Sequence, residues 1–95
     1  MSNYKITQFS YDKAEKLNLI IMPSRNKNKK IDVYTKNNNQ FLHSIGDIRY
    51  NDFSSYCVIY NTQYANERRR LYHIRHKNGI NIVNSKQYLS ANILW

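Results

Sequence analysis

This 95-residue chain has one cysteine, one proline, two glycines and six acidic residues. Cys57 stands alone, so no intrachain disulfide can form; stability must come from a core, and a reducing compartment is expected. Gly46 and Gly79 are too few for a glycine-rich phosphate loop. Without a cysteine pair, His43, His73 and His76 lack the companions of a zinc site, so no metal or other cofactor is expected. Cys57 between Tyr56 and Val58 reads as a small buried hydrophobe rather than a nucleophile. Asp47 and Asp52, with His43 nearby, hold some parts of a metal-dependent nuclease, but six acids leave few to complete one. No catalytic residue is assigned. The longest apolar run, Leu19-Ile20-Ile21-Met22, is far too short to span a bilayer. Met1 to Ser10 lacks the basic start and apolar run of a secretory signal.

What the chain has is positive charge. Fifteen lysines and arginines give a formal net charge of +9 and a pI near 9.8. Such a balance speaks of anionic partners rather than of fold. An AT-rich coding bias accounts for much lysine, asparagine, isoleucine and tyrosine, but not for the arginines in Glu67-Arg68-Arg69-Arg70-Leu71-Tyr72-His73-Ile74-Arg75-His76-Lys77.

The length fits one domain, 1–95, with 1–23 reading as an N-terminal extension or edge strand. Tyr4 to Phe9 is β-favouring and predicts a short strand; Asp12 to Leu17 supports one helical turn. Asn18 to Met22 reads as a buried strand stopped by Pro23, followed by a basic loop carrying Lys27, Lys29 and Lys30. Ile31 to Thr35 and Phe41 to Ile45 alternate around an asparagine-rich loop, which predicts a hairpin over 31–45. Ile31, Val33 and Thr35 should share a face with Phe41, His43 and Ile45. Gly46 then breaks the strand. Ser54 to Tyr60 fits either a strand or a short helix. Asn61 or Thr62 caps a basic helix over about 63–77, stopped at Asn78-Gly79. Ile80 to Val83 reads as extended, and Ser85 caps a last helix over about 86–95. The fold class is therefore α+β: a small antiparallel sheet packed with a basic and a C-terminal helix. Trp95, Leu94, Tyr88 and Leu71 are expected to share the core with Val33, Ile31 and Phe41.

At ~100° per residue, Leu71, Ile74 and Tyr64 fall on one arc of the basic helix. His73, His76, Arg69, Arg70 and Lys77 fall opposite, with Arg68, Tyr72 and Arg75 at a border. Docking by Leu71 and Ile74 would leave the cations in solvent, and Glu67 can reach only Arg70. The bland alternative is a solvated charged face, with Arg75 and His76 either packing on aromatics or pairing to Asp47 and Asp52. The binding reading assigns phosphate contacts to Arg68, Arg69, Arg70, Arg75 and Lys77, and a looser set to Lys27, Lys29 and Lys30. Tyr72 can stack an unpaired base. His73 and His76 add charge below about pH 6.5.

Taken in order, Ser24-Arg25 with Lys29-Lys30, Phe41 to Gly46, Tyr50 to Phe53, Glu67 to His76 and Tyr88 to Trp95 resemble an uncharacterised family of small basic proteins of giant DNA viruses and phage-like genomes. Arg69, Leu71, Tyr72, Arg75, His76 and the closing Leu94-Trp95 match best, and residues 1–23 lie outside the likeness. The chain departs from the pattern over Gly79 to Lys86, which is asparagine-rich. The resemblance implies a viral setting, in host cytoplasm, nucleus or virion and not secreted, and no particular activity. Two partner classes stay open: nucleic acid, DNA ahead of RNA, or the acidic surfaces of a capsid to which a minor capsid or cement protein would bind. Neither requires the chain to be an enzyme.

Overall fold

A computed structural model describes residues 1–95. The elements run α1 (Gln8–Lys16), β1 (Leu19–Pro23), β2 (Lys29–Thr35), β3 (Phe41–Asp47), α2 (Phe53–Ile59), α3 (Thr62–Arg75) and α4 (Lys86–Ile93). The three strands form one antiparallel sheet in the order β1-β2-β3, and the class is α+β as expected.

The middle strand organises the molecule. Lys30, Ile31, Asp32 and Val33 are buried in succession, so both faces of β2 are covered. Ile31 and Val33 join Ile21, Ile45, Leu89 and Ile93 in the core. One step along the pleat, Lys30 and Asp32 point to the opposite face, where each needs partners. Asp32 accepts hydrogen bonds from the Ser24 hydroxyl at 2.7 Å, the Ser44 hydroxyl, and the backbone N and Nε of Arg25 at 3.2 and 3.0 Å. Burial pushes its carboxyl up, but those donors outweigh burial and hold it at about 2. Lys30 donates to Asp52 at 2.9 Å, and the Tyr4 hydroxyl donates to the same carboxylate oxygen at 2.7 Å. Asp52 also caps α2, accepting from Ser55 N at 3.0 Å while Ser55 Oγ receives Asp52 N at 2.8 Å. One carboxylate thus ties the N-terminal segment, the sheet and a helix.

Several local expectations need correction. Tyr4 to Phe9 forms no strand: Thr7 caps α1, and Phe9 is already helical. Its β-favouring residues lose to the burial of Ser10 and Ala14 on a helical face. β3 does not break at Gly46 but runs on to Asp47, with Gly46 at φ +78° inside the strand. A register shift at Val33/Tyr34 places Phe41 opposite Tyr34 rather than Thr35. Phe41 is therefore 42% exposed, outside the core, with the Arg25 guanidinium 4.9 Å above its ring. The undecided stretch after Asp52 is helical, because Asp52 and Ser55 form a reciprocal cap. Residues 76–85 form successive turns rather than an extended piece, with Asn84 in the left-handed region. Asn39 adopts that same region in the hairpin loop, the role expected of asparagine there.

Candidate functional site

Helix α3 begins where Asn61 Oδ1 accepts from Tyr64 N at 2.7 Å. Its inward face differs from the expected one. Ala65 is fully buried, whereas Ile74 is 53% exposed and Tyr64 is also exposed. Leu71 is half-buried and lies outside the core cluster. The helix docks through Tyr72, whose ring stacks on Trp95 at 4.8 Å and 15°, with His76 4.3 Å away. The arginines on either side cover aromatic faces: Arg69 lies 4.2 Å over Phe53 and Arg68 5.6 Å over Tyr56. A guanidinium is planar and weakly hydrated, on an apolar stem, so it packs on a ring at a gain of about 0.5–2 kcal/mol. Counting arginine as solvent-facing and isoleucine as core misplaced the docking face, although Arg70, His73 and Lys77 are exposed as expected.

The cations of α3 consequently separate into three sets. Arg69 and His73 face α1. There Lys13 sits 5.5 Å over Phe9, Phe9 stacks on Phe53 at 5.1 Å, and Arg69 covers Phe53. Burial, then the charges of Arg69 and Lys13, push His73 below the ordinary histidine value. Arg70 pairs with Glu67 at 2.6 Å on the outer surface, and Lys77 is exposed beyond the helix end.

Arg68, Arg75 and His76 line a groove. Its deep end is a cavity of about 350 Å³ between α3 and the segment after β3, bordered by Tyr50, Asn51 and Asp52. The groove continues past Gly46, Tyr72, His76 and Ser90 into a shallower cavity of about 230 Å³ that reaches Lys29 and Lys86. Asp47 and Asp52 also lie along it, but each is engaged: Asp47 by Arg49 at 2.7 Å, Asp52 by Lys30 at 2.9 Å. Arg75 and His76 pair with neither aspartate; they take the other expected course and pack on an aromatic ring, Arg75 5.8 Å over Tyr72 and His76 4.3 Å from it. Arg68, Arg75, Lys29 and Lys86 have no carboxylate within ion-pair distance. Arg68 Nε is buried without an acceptor from the protein. Burial, helped by Arg75, holds His76 below the ordinary histidine value.

Of the residues singled out in the sequence, the groove gathers Lys29, Arg68, Arg75 and His76. Lys30 borders it with its ammonium buried against Asp52. Lys27 lies apart, on the exposed β1–β2 loop. Lys86, Tyr50 and Asn51 were not anticipated; the segment after Gly46 gave only an irregular, aromatic signal. Asp47 and Asp52, the pair that a nuclease would need, are bound to separate cations. No three histidine, cysteine or acidic side chains gather as a metal ion requires. No helix is long and apolar enough to cross a membrane.

Compared with protein-family models, curated proteins and solved structures, the chain finds no match in any of the three.

Proposed function

We propose that this protein binds nucleic acid without catalysing a reaction, and that the groove along α3 holds a single strand. One observation carries the reading. Four of the six acids are closed onto Arg25, Lys30, Arg49 and Arg70 within the fold, which leaves eleven of fifteen lysines and arginines without a carboxylate partner. Four of those eleven line one groove whose walls include Tyr50, Tyr56, Tyr72 and Trp95. Cations along a channel with aromatic faces are what a sequence-tolerant strand binder uses: phosphates are neutralised and bases stack. DNA stands ahead of RNA, and the viral setting suggested by the resemblance fits such a role.

The test is binding of a single-stranded 12-mer across salt. Single strands lose affinity with a log–log slope of about −0.7 per phosphate neutralised, so four groove cations give roughly −3. Arg75→Gln with Lys86→Gln should weaken binding and flatten the slope by about 1.4, while Lys5→Gln with Lys36→Gln should do neither. Equal loss from both pairs, or affinity indifferent to salt, defeats the reading.

A second reading is protein–protein attachment, as in a minor capsid or cement protein. Its support is an exposed apolar run at the end of α2: Val58 is 85% exposed, followed by Ile59 and Tyr60, with Tyr64 beside Tyr60 at 4.6 Å. Exposed apolar side chains gathered this way mark contact surfaces. Copurification with genome-free shells, lost on Val58→Asp, would favour it; recovery only with nucleic acid would exclude it.

A further inference from the structure

The groove is not uniform along its length, and its deep end differs in kind from the open part beside Lys29 and Lys86. The cavity there, about 350 Å³, is within the range of small-ligand pockets. Two guanidiniums border it, Arg68 and Arg75, and neither has a carboxylate partner. The Nε of Arg68 is buried with no acceptor supplied by the protein. A partly desolvated guanidinium without a counter-charge favours an anion beside it. At the mouth stands Tyr50, 67% exposed, and beside it Asn51, whose amide offers both a donor and an acceptor. An exposed ring beside a pocket with paired arginines is a platform for a planar group attached to an anion.

We propose that this end of the groove is a nucleotide pocket, which takes one unpaired nucleoside phosphate with its phosphate on Arg68 and Arg75 and its base against Tyr50. The assignment rests on the groove being a nucleic-acid site, and it deepens that reading. The occupant is either a nucleotide splayed from a bound strand or a free one; the recognition chemistry is the same. A phosphate oxygen beside the guanidinium supplies the counter-charge that Arg68 lacks within the fold. Asn51 is placed to read the base edge. The remainder of the strand runs toward Lys29 and Lys86.

The test follows the Arg68 Nε–H signal and the backbone amides of Tyr50 and Asn51 by NMR. The protein is titrated separately with deoxyadenosine 5′-monophosphate, deoxyadenosine, inorganic phosphate and a 12-mer of deoxythymidine. The monophosphate should shift both Arg68 Nε–H and the Tyr50 amide, whereas inorganic phosphate should shift Arg68 alone. Tyr50→Ala should weaken the monophosphate at least fivefold and leave phosphate unaffected. Arg75→Gln should weaken both. Tyr50 and Arg75 are exposed, so these variants serve even if Arg68→Gln fails to fold. If the monophosphate leaves Arg68 Nε–H in place, or binds Tyr50→Ala as it binds the parent, the pocket is refuted. A 12-mer that binds in that case leaves the groove reading standing, and one that also fails removes both. Monophosphate binding with no 12-mer binding keeps the pocket, for a free nucleotide, and ends the strand reading.

Discussion

Replacing Asp52 with alanine strikes three contacts at once. The carboxylate pairs with Lys30 at 2.9 Å, receives the Tyr4 hydroxyl at 2.7 Å and caps α2 through Ser55 N at 3.0 Å. The Lys30 side chain is only 5% exposed, so alanine leaves a buried ammonium with no counter-charge. Removing one member of a buried pair costs about 3–5 kcal/mol, and loss of a cap about 1 kcal/mol. One carboxylate serves both contacts, Oδ2 for Lys30 and Oδ1 for Ser55 N, so the losses overlap, and about 4 kcal/mol is expected in total. At about 4–8 °C per kcal/mol for a domain of this size, the midpoint of thermal unfolding falls roughly 15–30 °C. Asp52→Asn combined with Lys30→Met removes both charges and keeps a capping oxygen. That double variant should be more stable than the two single losses predict by at least about 1 kcal/mol. Acid adds a further check. Burial pushes the Asp52 carboxyl up, yet the Lys30 charge and the hydrogen bonds from Tyr4, Lys30 and Ser55 leave it below the ordinary carboxylate value. A depressed carboxylate contributes fully above its unfolded value near 3.8 and progressively less as pH falls below it. The parent should therefore lose stability on acidification more steeply than Asp52→Asn. Urea unfolding followed by far-UV circular dichroism, at pH 7 and at pH 3, measures all of this. Asp52→Ala within about 0.5 kcal/mol of the parent, or a double variant that is simply additive, would refute the reasoning.

Two further outcomes test other parts of the structure. Ile74→Ser should stay within about 0.5 kcal/mol of the parent, while Ala65→Leu should cost about 1–3 kcal/mol by overpacking; urea midpoints in the reverse order would return Ile74 to the docking face. Gly46→Ala should destabilise by about 2 kcal/mol, because its φ is +78° and the new methyl would lie 2.7 Å from Leu94 Cδ1. A neutral thermal midpoint would show that the strand does not need the glycine.

The elements with periodic or capping signals were legible in the sequence. The first strand, the hairpin, the Asn61 and Ser85 caps and the last helix all form close to the expected bounds, although the first strand includes Pro23 and buries only Ile21 rather than its whole length. What escaped depends on partners distant in the chain. Phe41 leaves the core because of a register shift, which alternation alone cannot reveal. α1 forms over β-favouring residues because Ser10 and Ala14 are buried, with the Ser10 hydroxyl donating to the Ile93 carbonyl at 2.8 Å. The basic helix docks through a different face because Phe53 and Tyr56 offer rings that arginine stems cover, and Trp95 one that Tyr72 stacks on. Half of the groove could be named from the helix itself. Lys86, Tyr50 and Asn51 join it only through the fold, and no local pattern distinguishes them.

Trp95 gives the molecule an optical consequence. It is the sole tryptophan, it is buried against Tyr72, and it forms part of the wall of the deep cavity. Its indole emission therefore reports on one place only. Unfolding should shift that emission to the red as the ring meets water. Filling the cavity beside it should change its intensity without the same shift. A single spectrum then separates an occupied protein from a loosened one, with no label attached and no residue altered.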